Sequence, residues 1–327
     1  MRILVNEGSV MLEENEDYSQ VVKEFIKELN SRSNGKPKRS LGFDSLDSFI
    51  DSPAGKGEMT ILAGESGSGK SLFSLAMEIG LLRKNTCVAK LSLEMTNIRN
   101  HERLFSMLLG KDKSYFDSVT SSEKSKVEFM QELMKQNELL KRYYFNDNPN
   151  VSLEHLPKLI PLIQNHFKSL NLLPDDGYFV LIIDLLSLIS DWGVSQIEIQ
   201  SSIDKLHRII KSLPVHLIGI VQTNENDQRS GSGNKNGLFQ LGLKNLKGSA
   251  AYKERARDVL ILNRPKLMKA REEGKIMDNY FDNDIMRIHI AKSNDGQDGY
   301  ADFVFTGVNG LSIIPIAEYK SMYDVAS

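Results

Sequence analysis

Gly64-Glu65-Ser66-Gly67-Ser68-Gly69-Lys70-Ser71 is the stretch on which the reading of this chain turns. Its spacing, glycine, four residues, then Gly-Lys-Ser, is that of a phosphate-binding loop, and its flanks are those the chemistry requires. Before it, Met59-Thr60-Ile61-Leu62-Ala63 is short, apolar and partly β-branched, which predicts a buried strand. After it, Leu72, Phe73, Leu75, Ala76, Ile79 and Leu82 recur at helical spacing. A strand, a glycine-rich turn and a helix N-terminus present backbone N–H groups and a positive dipole end to the phosphates of a nucleotide. Within this loop Lys70 is expected to reach the β- and γ-phosphates and Ser71 to hold Mg²⁺, with Gly64 to Ser71 as a whole cradling ATP.

The rest of the composition narrows the class. At 327 residues, with 40% hydrophobic and 26% charged residues, the chain can build a full globular core. A net charge of −2 argues against a generally basic nucleic-acid binder, although a ring that lines only its channel with lysines need not be basic overall. No apolar run approaches the ~20 residues that span a bilayer. The first residues are acidic rather than signal-like, so a soluble, cytoplasmic protein is expected. The single cysteine, Cys87, lies in an apparent strand and excludes a disulfide framework; six scattered histidines show no metal-ligand spacing.

Four segments follow from the pattern. Residues 1–17 carry Glu13, Glu14, Glu16 and Asp17 and are expected to form an acidic tail, poorly ordered or packed only in an assembly. Residues 18–39 hold a short amphipathic helix, with Tyr18, Val22, Phe25, Ile26 and Leu29 on one face, and a polar linker. That face must be buried on its own domain or on a neighbouring subunit. Residues 40–320 form the main domain and 321–327 a tail. In the main domain, expected strands Met59–Ala63, Thr86–Leu93, Tyr178–Asp184, Val215–Gln222 and Asp258–Leu262 alternate with helical patterns. That order predicts an α/β fold, a mainly parallel twisted sheet flanked by helices, with ligands at the strand C-terminal ends. Ile285–Ala291 and Tyr300–Thr306 read as a C-terminal antiparallel hairpin. Two polar stretches, Asn224 to Gly237 and Met268 to Asp284, read as loops.

Three further strand ends carry chemistry. Glu94, after Ser92-Leu93, can take a proton from water attacking the γ-phosphate. Asp184 ends an otherwise apolar strand and is expected to hold Mg²⁺ through water near Ser71. Gln222 ends the strand Leu217 to Val221, where an amide can sense the γ-phosphate.

The order of these motifs resembles the RecA-like ATPases, and most of all the ATPase domain of replicative DNA helicases of the DnaB type. The resemblance runs from about Tyr18 to Thr306 and includes Leu41 to Asp47, Leu91-Ser92-Leu93-Glu94-Met95, Asn146 to Ser152, Ile183 to Leu188, Val221 to Asn224 and Ile290 to Gly296. It implies a RecA-like P-loop ATPase in a homo-oligomeric ring of six subunits around single-stranded DNA, with ATP and Mg²⁺ at each interface and the linker helix docked on the next subunit. It implies that Lys292 contacts the neighbour's γ-phosphate. Where such helicases place an arginine two residues on, this chain has Asn294, so Arg257, Arg264 or Arg287 is expected to substitute if hydrolysis is fast. DNA contact is expected from the loops after Asp184 and after Gln222, the second carrying Arg229, Lys235, Lys244 and Lys247, through phosphates rather than bases. The cluster Lys253, Arg255 and Arg257 reads instead as a helix face on the subunit surface. The family usually carries a large N-terminal domain, and fewer than twenty residues precede the linker helix here, so the resemblance does not by itself imply contacts with a primase, loader or single-strand-binding protein. A bacterial or phage-infected cell is the expected setting. Two competing functions stay open: a strand-exchange recombinase of the RecA type, and a helicase-like ATPase that serves as a loading or regulatory partner.

Overall fold

A computed structural model of the chain describes residues 2–6, 9–13, 22–23, 26, 39–50, 55–223, 241–246, 248–264, 284–294, 296–306 and 311–324. The chain divides into two compact units, Met1–Arg39 and Ser40–Ser327.

In the first unit a hairpin occupies part of the stretch expected as an acidic tail, of which Glu14, Glu16 and Asp17 lie outside the described residues. Arg2–Asn6 (β1) and Ser9–Glu13 (β2) pair as an antiparallel hairpin, in a register that sets Ile3 opposite Leu12 and Val5 opposite Val10. Apolar, β-branched residues at alternate positions favour such a ladder. The acidic residues cluster at its end and beyond, so charge content obscured the pattern. Of the linker helix, Val22, Lys23 and Ile26 are helical and exposed; Tyr18, Phe25 and Leu29 lie outside the described residues.

The second unit opens with a short helix, Asp44–Asp47 (α1), and then builds a nine-stranded sheet. Glu58–Gly64 (β3), Val88–Ser92 (β4), Tyr143–Asn146 (β5), Phe179–Asp184 (β6), Val215–Gln222 (β7) and Asp258–Asn263 (β8) run parallel, in the order β8-β3-β7-β6-β4-β5. Asp284–Ser293 (β9), Gly299–Thr306 (β10) and Ser312–Pro315 (β11) extend it antiparallel beyond β8. This is the α/β fold expected, with the hairpin at 285–306 in place. The strands β5 and β11 are additions. Both lie at sheet edges and neither is fully buried, so neither produces the apolar run that marks a central strand.

Helices cover both faces, because the parallel strands are apolar on both sides. Lys70–Arg83 (α2) lays Phe73, Met77 and Leu81 against the layer formed by Leu62, Val180 and Ile218. Leu156–Ser169 (α7) and Gln196–Lys211 (α8) lay Ile160, Phe167, Ile203 and Leu206 on the other. A helical block precedes β5: Asn97–Leu109 (α3), Lys113–Val119 (α4), Glu123–Lys135 (α5) and Asn137–Leu140 (α6). Ser249–Arg255 (α9) leads into β8 and Ile316–Asp324 (α10) follows β11. The last helix runs through the boundary expected between residues 320 and 321.

The Leu41 to Asp47 motif has a packing role. A Cβ on Gly80 of α2 would lie 2.0 Å from the carbonyl oxygen of Gly42, and Gly42 itself sits at φ +103°. Only two glycines let the loop touch the helix so closely. Lys84 clamps the contact through Asp44, 2.5 Å away, and Asp47, 3.0 Å away. Helix α2, which begins at Lys70, is thereby held at its far end.

Candidate nucleotide-binding site

Sheet register brings the motif residues together. Gly64 pairs with Gln222, and Ser92 pairs with Asp184, so the P-loop, Glu94 and both strand-terminal residues emerge at one edge. The turn is locked locally. Gly67 and Gly69 adopt φ +72° and +97°, and the Ser68 hydroxyl donates to the Glu65 carbonyl at 2.8 Å. The Lys70 ammonium folds back to donate to the same carbonyl at 2.5 Å.

A cleft of about 340 Å³ opens over this edge, within the range of small-ligand sites. Ser66, Gly67, Gly69, Lys70, Ser71, Glu94 and Gln222 line it, with Leu72, Leu185 and Leu311. Asp184 lies behind the wall, 1% exposed. Burial depresses the Lys70 ammonium to about 8, the carboxylates of Asp184, Glu94 and Glu65 opposing that shift. The cleft therefore offers phosphate oxygens a cationic donor, the Lys70 ammonium, at the N-terminus of α2, with carboxylates nearby that a metal ion would offset.

The donor set fits Mg²⁺. The Ser71 side chain lines the cleft, and Asp184 Oδ1 is buried without a hydrogen-bond partner among the described residues. A buried carboxylate oxygen left unpaired is costly unless something binds it. Among the described residues no group of three or more His, Cys, Asp or Glu side chains forms a metal cage.

One cleft residue escaped sequence reasoning. Arg103, on α3, lines the cleft beside Glu94, its Nη1 3.1 Å from Met95 Sδ. The signal available was Arg99 and Arg103 at i, i+4 spacing on the helix that follows the Ser-Leu-Glu-Met run.

Lys292 is not brought to this cleft. It pairs with Val259 near the start of β8, at the opposite end of the sheet, and its ammonium donates to the Ala256 carbonyl. Of the arginines considered as replacements for the one absent at Asn294, two are committed within the chain. Arg287 makes a bidentate pair with Asp302, both contacts 2.7 Å, and Arg257 pairs with Glu58 at 2.8 Å. Arg264 lies over the Phe305 ring at 5.1 Å, with Nη1 3.9 Å from the position a Cβ on Gly69 would take. It is the arginine of these three that stands beside the P-loop.

Of the residues expected to touch DNA, Lys244 is exposed in a 3-10 turn, Leu243–Asn245. Arg229, Lys235 and Lys247 lie outside the described residues. Lys253 and Arg255 lie on α9, Arg255 paired with Asp204 at 2.6 Å, whereas Arg257 follows the helix and is nearly buried. No helix among the described residues is long and apolar enough to cross a membrane.

The family model of the DnaB-like helicase C-terminal domain matches residues 40–309. Among solved structures, one ATPase domain superimposes with a TM-score of 0.71 at 16% identity, covering 92% of this chain and 99% of that one. A DnaB-like replicative helicase, described with its interactions with primase, gives 0.67 at 18% identity over 93% of this chain and 68% of its own. A KaiC-like protein from the hyperthermophilic archaeon Pyrococcus horikoshii OT3 gives 0.50 at 14%, covering 85% of this chain and 99% of that one. No curated protein sequence matches the chain. At these identities the structures attest the RecA-like fold, and the model match attests the lineage: the chain belongs to the DnaB-like helicase C-terminal domain family.

Proposed function

We propose that this chain is the motor of a ring-shaped replicative helicase that hydrolyses ATP between subunits and moves along single-stranded DNA. One observation carries the reading. The P-loop, Glu94 and Gln222 share a cleft at one edge of the sheet, while Lys292 sits at the other end, where a second copy could present it. In this reading Lys292 reaches the pocket of a neighbouring copy, so assembly completes the site.

In this reading Lys70 and the loop amides bind and orient the β- and γ-phosphates. Glu94 accepts the proton of the attacking water, Gln222 registers the γ-phosphate, and Lys292 acts on the neighbour's site. Ser71 and Asp184 would hold Mg²⁺, which when bound would neutralise charge on the phosphates. Arg103 and Arg264 stand where an arginine of the same chain can stabilise phosphate charge. Lys244, with Arg229, Lys235 and Lys247, follows the DNA backbone. A primase or loader, and a cytoplasmic setting, belong to the same proposal. The test is a forked-duplex unwinding assay alongside ATP turnover with and without single-stranded DNA. Strand separation with stimulated turnover is expected; neither occurring refutes the motor.

A second reading draws on Asn294 and on the internal pairing of Arg257 and Arg287. It is a helicase-like ATPase that binds nucleotide as a switch, and it predicts slow turnover with no unwinding.

Lys70 gives the reading a pH signature. With its free value near 8, the ammonium is charged below that pH and loses its proton above it. Bound phosphate favours the charged form and raises the value. Metal-free affinity for a fluorescent ATP analogue is therefore expected to be level from pH 7 to about 8 and then to fall, by at most tenfold per pH unit. An affinity that rises above pH 8 contradicts the assignment of Lys70.

A further inference from the structure

A lysine stands where the sheet is otherwise apolar. Lys90 is the third residue of β4, between β6 and β5, and is 1% exposed. Its Nζ lies 2.9 Å from Glu78 Oε1 and 4.0 Å from Asp184 Oδ2. Glu78 projects from α2 and is fully buried. It is well supplied with donors: the Ser74 hydroxyl reaches Oε1 at 2.8 Å, and the Tyr143 hydroxyl reaches Oε2 at 2.9 Å. The Asn100 amide donates in turn to the Tyr143 oxygen at 3.1 Å. Burial pushes the Tyr143 phenol well above its ordinary value, which keeps it a donor. Among the described residues Asp184 has none of this support: Oδ1 is unpaired and Oδ2 faces Lys90 across an ion-pair distance.

Two buried carboxylates therefore lie within ion-pair reach of Lys90, and they differ in what else they have; Asp184 also feels the Lys70 ammonium of the cleft, which both variants below leave in place. We propose that Lys90 is the resident counter-ion of Asp184, and that Glu78 holds it at a distance that leaves the carboxylate available to a divalent metal. The proposal rests on the reading of Asp184 as the metal-holding group. A cation beside that carboxylate repels an arriving dication, and the repulsion is little screened in a buried site. Glu78 draws Lys90 toward α2 and weakens the opposition. The pair thus sets how tightly metal binds, through a charge balance unconnected with the reaction itself. Lys90 is a positioning residue, acting through Asp184.

The two members of the pair have opposite predicted effects. Glu78→Gln leaves Asp184 as the one carboxylate within ion-pair reach of Lys90 among the described residues, so Lys90 binds it more closely and metal affinity falls, by roughly three- to tenfold. Lys90→Met with Glu78→Gln removes both charges, and metal affinity rises by about tenfold. The probe is Mn²⁺ followed by electron paramagnetic resonance, titrated into the full chain saturated with a non-hydrolysable ATP analogue. Metal-free affinity for that analogue is expected to stay within about twofold of the parent, since neither group lines the cleft. Lys90→Met alone leaves Glu78 buried without its cation, a change that can unfold the chain, so the double variant is the decisive one. A thermal melt of each variant confirms the fold. Shifts of the same sign in both variants, or none in either, overturn the proposal and make the pair a structural bridge between α2 and β4. Asp184→Asn separates the two levels. If it lowers Mn²⁺ affinity more than tenfold while the pair variants change nothing, only the counter-ion role fails. If it leaves Mn²⁺ affinity unchanged, the reading of Asp184 fails and the role of Lys90 fails with it.

Discussion

Glu94→Gln is expected to lower DNA-stimulated ATP turnover by roughly 10²–10⁴-fold, the range of a positioned general base, while nucleotide affinity stays near that of the parent chain. The amide keeps the shape of the side chain and removes its capacity to take a proton. Glu94 is exposed at the cleft wall, two residues beyond the end of β4, so the exchange removes no buried contact. Single-turnover hydrolysis separates chemistry from binding, and a thermal melt should superimpose on the parent. Turnover within a factor of three of wild type refutes the assignment. Forked-duplex unwinding is expected to stop with hydrolysis.

Lys70→Met should act on binding first. Loss of one charged donor aimed at developing phosphate charge is worth roughly 10²–10³-fold in turnover, with a parallel loss of nucleotide affinity. The stability effect has the opposite sign. A lysine held near 8 in the fold and near 10.4 in the open chain disfavours folding at pH 7 by a few kcal/mol. That penalty is present below about pH 8 and fades as pH rises toward the open-chain value. Replacing Lys70 by an apolar side chain of similar length removes it, so the melting temperature at pH 7 should rise as activity is lost. A variant that both loses activity and melts earlier contradicts this account.

The exposed apolar residues of the helical block, Ile98, Val127, Met130 and Met134, stand apart from the cleft chemistry. Nothing about the nucleotide reading depends on them. The Gly42–Gly80 contact matters more to the site, because it holds the helix that starts at Lys70.

The amino-acid sequence alone was enough to determine the class of fold and the phosphate-binding edge. An apolar run, a glycine turn and an amphipathic helix are local patterns, read from neighbours in the chain. The terminal residues of β6 and β7 were legible for the same reason: Asp184 and Gln222 end runs of buried apolar residues. The edge strands β5 and β11 were not, because half-buried residues at a sheet margin lack such a run. Neither was the hairpin β1–β2, whose alternation is short and bordered by acidic residues. Tertiary structure decided the rest. It placed Arg103 in the cleft from a separate helix, moved Lys292 to the far end of the sheet, and set Glu78, Lys90, Tyr143 and Asp184 around one buried charge balance. Those relations depend on strand order and helix placement, which bring residues from four elements within hydrogen-bond or ion-pair reach. No spacing along the chain encodes a distance of that kind.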